Sequence, residues 1–190
     1  MPGMRKKLSI GALVVGVILL QALNLLREPT GWGSVKASPL TDTTAEILGV
    51  YFTPPAGAAA AIVKAIDQSQ REVLVQAYGF THNAIAQSLL RAKARGVTVH
   101  VLLDQKSEHT NRYVIDLLNQ AQLSMRADGK HAISHNKVMV IDASIVITGS
   151  FNFTNSAETR NAENFLILKS VDLANQYKQQ WLSHWAHSVE

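Results

Sequence analysis

From residue 47 onward the apolar positions fall into short β-branched runs separated by stretches with helical spacing. Residues 47–52 read as a strand closed by Thr53-Pro54-Pro55, and the Ala-rich run 57–70 as a helix with Ile62, Val63 and Ile66 on its apolar face. A strand over 73–78 follows, then a helix that Thr81 can cap and Gly96 ends. Residues 97–103 are almost continuously apolar, the pattern of a strand covered on both faces. Its end at Asp104 opens a polar loop over 105–110, and a helix to about residue 122 turns Val114, Ile115, Leu117 and Leu118 inward. Val138 to Ile141 and Ile145 to Ile147 are two further buried runs. A short turn or helix near 154–158, a strand over 164–169 and a closing helix over 172–187 complete the chain. Strand and helix alternate, which predicts an α/β fold with a mixed β-sheet sandwiched between helices.

The first 46 residues follow a different pattern. Arg5, Lys6 and Lys7 precede an apolar run over 8–26 broken only by Ser9, Gln21 and Asn24. Residues 1–37 therefore read as a signal peptide or an N-terminal membrane anchor, with Val35-Lys36-Ala37 as a candidate cleavage site. Both versions imply an exported protein, periplasmic or secreted if the cell is bacterial, and the anchored one adds membrane association through residues 8–26. Residues 38–46, rich in Ser, Thr, Asp and Pro, read as a linker, leaving 47–190 as one folded domain. Charge changes the picture once this segment is set aside. Five of the 18 bases and one of the 14 acids lie in residues 1–37, so the remaining 13 and 13 cancel, and the overall net charge of +4 is no argument for nucleic acid. Within 91–137, eight bases face four acids, a local excess that suits a polyanion or, for Arg91, Lys93 and Arg95, a solvated helix face. Cysteine is absent, which removes disulfides, thiolate catalysis and Cys-containing zinc sites.

The chemistry concentrates around the two apolar runs near residue 140. His135-x-Lys137, four residues, Asp142, then Gly149-Ser150-x-Asn152 frame them. On a strand, His135 and Lys137 share a face. An imidazole beside an ammonium suits a phosphodiester: the imidazole attacks phosphorus or protonates a leaving oxygen, and the ammonium neutralises the non-bridging oxygens. Ser150 and Asn152, again two apart, add neutral donors for phosphate.

This pattern resembles the His-Lys-Asp signature of the phospholipase D superfamily, and with "GSFNFTNSAETRNAEN" after it the chain is most similar to the bacterial EDTA-resistant endonuclease branch. The resemblance runs from about residue 48 to the C-terminus. It implies a phosphohistidine mechanism without metal or other cofactor, at a site built from two motifs. This chain carries one motif, so the resemblance implies a homodimer that brings two copies of His135 together. It also places an acid at Glu163, where a carboxylate would hold the far nitrogen of His135. The expected catalytic set is His135, Lys137, Asp142 and Glu163, with Asp142 supporting the site rather than moving a proton. Lys137, Ser150 and Asn152 form the phosphate-binding set.

The remaining histidines carry less. His131 and His135 are four apart and His184 and His187 three apart, spacings that bind metal on a helix, but neither pair has an acidic ligand pattern nearby, and no metal site is assigned. His109, Lys106 and Arg112 follow a strand end, where α/β proteins place ligand contacts. Three functions compete: a sequence-nonspecific endonuclease on DNA or RNA, a phospholipase D or phosphatidyl transferase acting on lipid phosphodiesters, and a non-catalytic, membrane-tethered binding protein.

Overall fold

The computed structural model describes residues 44–55 and 57–190. The segment 1–37, with its targeting and membrane readings, lies outside the described residues. Among these, no helix is long and apolar enough to cross a membrane.

Seven strands form one mixed sheet in the order β1-β7-β6-β5-β2-β3-β4. They are β1 (Glu46–Thr53), β2 (Glu72–Ala77), β3 (Thr98–Asp104), β4 (Ser124–Asp128), β5 (Lys137–Ile141), β6 (Ile145–Gly149) and β7 (Glu163–Lys169). Between them run α1 (Ala58–Asp67), α2 (Asn83–Ala94), α3 (Glu108–Gln120), α4 (Asn155–Thr159) and α5 (Val171–His187). β2, β3 and β4 are parallel, joined by helical crossovers, whereas β5, β6, β7 and β1 pair antiparallel. The two halves meet where β2 pairs antiparallel with β5.

Each face of the sheet has its own apolar layer. On one side Val73, Val75, Val101, Met139, Ile141 and Ile147 pack with Ile62 and Ile66 of α1 and Leu89 of α2. On the other, Leu74, Leu102, Val138, Val140 and Val146 lie under α5, which supplies Ala174 and Trp181. Successive residues of β5 therefore alternate between the two layers while all five are buried, as a central strand requires. Trp181 donates its indole N–H to the Val75 carbonyl at 2.9 Å, and Lys178 reaches Glu72 at 2.6 Å, fixing α5 across β2.

Three elements differ from the sequence pattern. β4 was not legible as a strand: its Ser, Arg and Asp hide the alternation, and as the sheet's edge it is only partly covered. α3 starts at Glu108, and the loop expected over 105–110 shrinks to a single 3₁₀ turn over Gln105–Ser107. The N-cap of α2 is His82 rather than Thr81, with no side-chain cap bond.

Candidate active site

β5 starts at Lys137, so His135 lies two residues ahead of the strand, where the chain climbs over the carboxyl end of β2. This is the point at which strand direction reverses, and crevices for ligands form there in α/β sheets. Tyr78, just past β2, donates its backbone N–H to the Asn136 carbonyl at 3.0 Å, and its ring meets the His135 ring edge-on with centroids 4.7 Å apart. The buried Asn111 of α3 holds that turn, donating to the Tyr78 carbonyl and accepting from the Phe80 N–H. Ahead of His135, Ser134 gives its N–H to the buried Asp104 at 2.7 Å, and Lys106 donates to the Ala132 carbonyl at 2.6 Å. Both ends of the His135 segment are thus fixed while His135 itself is exposed.

Lys137 is only 7% exposed. Its Nζ donates to the His135 carbonyl at 2.8 Å and lies 5.2 Å from the centre of the Tyr78 ring. Burial pushes its pKa below the ordinary lysine value, and the charge of Glu163 partly opposes that shift. No carboxylate is ion-paired with it among the described residues. An ammonium has three donors, so two remain for an incoming anion.

The glycine-serine segment is shaped by β7. Gly149 pairs with Phe165, and a Cβ there would press on the Asn164 carbonyl and approach the Phe165 Cα to 2.5 Å, so no side chain fits. This contact brings Ser150 over the start of β7. The Ser150 hydroxyl donates to Glu163 Oε2 at 2.6 Å and accepts from the Asn164 N–H at 3.1 Å. In this arrangement its single proton is used by Glu163. Glu163 takes its second bond from Asn161 Nδ2 at 3.0 Å, and no hydrogen bond joins it to His135 among the described residues. The acid expected to hold the imidazole instead holds the neighbouring serine and asparagine and acts on Lys137 through its charge. Asn152 accepts from the Gly79 N–H at 3.3 Å through Oδ1, which turns its two amide N–H donors the other way.

Asp142 lies at the far end of β5, roughly 15 Å from Lys137 at the rise of a strand. Its carboxylate accepts from the backbone N–H groups of Gln70, Arg71 and Glu72 at 2.8–3.0 Å, in a turn where its own φ is 53°. Burial pushes the carboxyl up, but these amides and Arg71 outweigh it and leave it below the usual carboxylate range. Asp142 therefore anchors the β5–β6 turn to the lead-in of β2.

The basic run on α2 resolves into structural ties. Arg91 pairs with Asp67 at 2.8 Å, Lys93 donates to the Ala121 and Gln122 carbonyls, and Arg95 to the Ile66 carbonyl. Arg112 pairs with Asp116 one turn along α3. Tyr78, Asn111 and Asp104 also shape the site, and their only signal in the sequence is that they end strands or face inward from a helix. The acid beside the C-terminal histidines likewise escapes the sequence pattern. Asp128, at the end of β4, receives His131, His184 and His187 together.

The family model described as cardiolipin synthase, PLD-like domain, matches residues 62–185. This chain belongs to the phospholipase D superfamily. A phospholipase D of Rickettsia conorii is 38% identical over 152 residues, covering 80% of this chain and 76% of the relative. A mitochondrial cardiolipin hydrolase of Chlamydomonas reinhardtii is 30% identical over 120 residues, covering 63% of this chain and 54% of that one. Among solved structures, the phospholipase D family member Nuc from Salmonella typhimurium superposes with a TM-score of 0.73 at 30% identity, covering 76% of this chain and 97% of Nuc. NucT from Helicobacter pylori, at 23% identity and a TM-score of 0.70, shares the fold. The protein is a phosphodiesterase, a hydrolase, of this superfamily, with the mixed α/β sheet common to it.

Proposed function

We propose that this phosphodiesterase is a sequence-nonspecific endonuclease that cleaves DNA, with RNA as a further substrate, through a phosphohistidine and without metal, and that two copies of the chain make one site. The observation that carries this is the buried Lys137 ammonium, free of any carboxylate ion pair among the described residues and set beside the exposed His135. A buried cation with spare donors next to a reachable imidazole is arranged for a phosphate diester.

The steps balance with two histidines. The imidazole nitrogen of His135 attacks phosphorus as the bond to the leaving oxygen breaks, and His135 of a second copy, protonated, gives its proton to that oxygen. The second imidazole, now neutral, takes a proton from water, whose oxygen displaces the first histidine and restores both groups. Lys137 and the amide of Asn152 hold the non-bridging oxygens. Ser150 orients Glu163, whose negative charge favours the charged form of Lys137.

Nuc supports the nucleic-acid reading. The Rickettsia relatives support a second, in which the same chemistry acts on lipid phosphodiesters as a phospholipase D or phosphatidyl transferase. The exposed position of His135 suits a wide polymer groove better than an apolar tunnel. Export to the periplasm or the medium, led by residues 1–37, completes the proposal.

Digestion of single-stranded DNA, duplex DNA and RNA by the purified protein in excess EDTA, beside phosphatidylcholine hydrolysis, tests it. Nucleic-acid cleavage is expected, lost in His135→Asn with the fold retained. Lipid turnover alone would establish the second reading, and cleavage by His135→Asn at the wild-type rate would exclude the histidine mechanism.

A further inference from the structure

Four side chains from two distant parts of the chain converge about one point at the carboxyl end of β4. Asp128 ends β4 with its carboxylate fully enclosed, His131 follows it by three residues, and His184 and His187 stand on the last turn of α5. Asp128 Oδ2 lies 2.9 Å from His131 Nδ1 and 2.8 Å from His184 Nδ1, and Oδ1 lies 3.2 Å from His187 Nε2. The four ligand atoms all fall within 4.8 Å of one another. The three rings face each other, with centroids 4.7–5.4 Å apart.

A tetrahedral zinc site with bonds of 2.0–2.1 Å separates its ligand atoms by roughly 3.3 Å. The carboxylate–imidazole pairs at 2.8–3.2 Å would open slightly and the wider pairs, at up to 4.8 Å, would close to admit the ion. Three imidazole nitrogens and one carboxylate oxygen form a donor set that suits zinc over the oxygen-seeking calcium and magnesium. A further shell is in place. His184 Nε2 lies 2.9 Å from the side-chain amide of Gln180, and an amide turned about its axis offers oxygen instead of nitrogen. That oxygen would accept the Nε2–H that metal binding at Nδ1 requires, as outer partners of ligating histidines do. The surroundings are built to hold the group still. Ala127 pairs with Val189 in a β-bridge, and the Ser188 hydroxyl bonds the His184 carbonyl.

We propose that Asp128, His131, His184 and His187 bind one zinc ion per chain, at a structural site that fastens the end of α5 to β4 and to the start of the segment carrying His135. None of the four side chains has a part in the phosphodiesterase steps proposed above, and the test does not depend on activity. Full-length protein stripped with chelator and dialysed is titrated with zinc chloride by calorimetry, and with cobalt chloride by visible absorption. We expect one zinc per chain, a tetrahedral cobalt spectrum and a raised melting temperature with zinc. His131→Ala and His187→Ala, whose side chains are 24% and 21% exposed, should each weaken binding roughly 100-fold with the far-ultraviolet circular dichroism of the wild type retained. His135→Asn should leave it unchanged. No saturable uptake at micromolar zinc, uptake unaffected by both alanine variants, or equal weakening by His135→Asn would each overturn the proposal.

Discussion

The Ser150 hydroxyl sits 2.6 Å from Glu163 Oε2 and donates its only proton there. The bond joins the end of β6 to the start of β7 and places a carboxylate charge near Lys137. Ser150→Ala should therefore fold normally yet lose about 10- to 100-fold in kcat, because Glu163 is freed to move by an ångström or so. Turnover of bis(p-nitrophenyl) phosphate measures this, and an unchanged kcat would leave the hydroxyl with no part in positioning.

Lys137 sets function against stability. Replacement by Met should lower kcat by about 10²- to 10³-fold through loss of charge on the non-bridging oxygens. Stability should move the other way. The folded-state pKa lies below the ordinary lysine value of 10.5, so between the two values the unfolded chain binds more protons and wild-type stability rises with pH. The Met variant lacks this dependence. Urea midpoints at about pH 7 and about pH 10 should show wild type gaining on Lys137→Met as pH rises.

Asp142→Ala tests the assignment of that residue to the scaffold. It orphans three backbone N–H groups and should cost about 1–2 kcal/mol, the low end for bonds near solvent. Its folded pKa is depressed, so the stabilisation is present above the unfolded value and disappears as pH falls through the folded one. Urea unfolding of both proteins against pH reads this directly, and kcat of the folded variant should stay near wild type.

Gly149→Ala should be worse than either for the fold. The added methyl meets β7 backbone rather than a movable side chain, at a cost of about 3 kcal/mol. Thermal unfolding checks it, and a loss below half of that would mean that β7 yields.

The central sheet was legible because β5 and β6 are β-branched runs and β2 and β3 are nearly continuous apolar stretches. Periodicity marks buried strands well and partly polar edges poorly, which is why β4 escaped. The motif identified the groups, but not where their hydrogen bonds go. That Ser150 rather than His135 receives Glu163 follows from the Gly149 contact with β7, a matter of register between strands. The histidine cluster was hidden for a similar reason: its acid lies 56 residues before His184, and only the closing of α5 over the sheet joins them.

That closing also orders the events of synthesis. The face formed by Leu74, Leu102, Val138, Val140 and Val146 is covered by a helix that begins at Val171, and the Trp181–Val75 bond spans 106 residues. Until Val171 to His187 have left the ribosome, the sheet lacks its lid and presents a continuous apolar surface of the kind that self-associates. Nascent chains halted before α5 should therefore expose this face to chaperones, and the two-sided core exists only once that helix has docked.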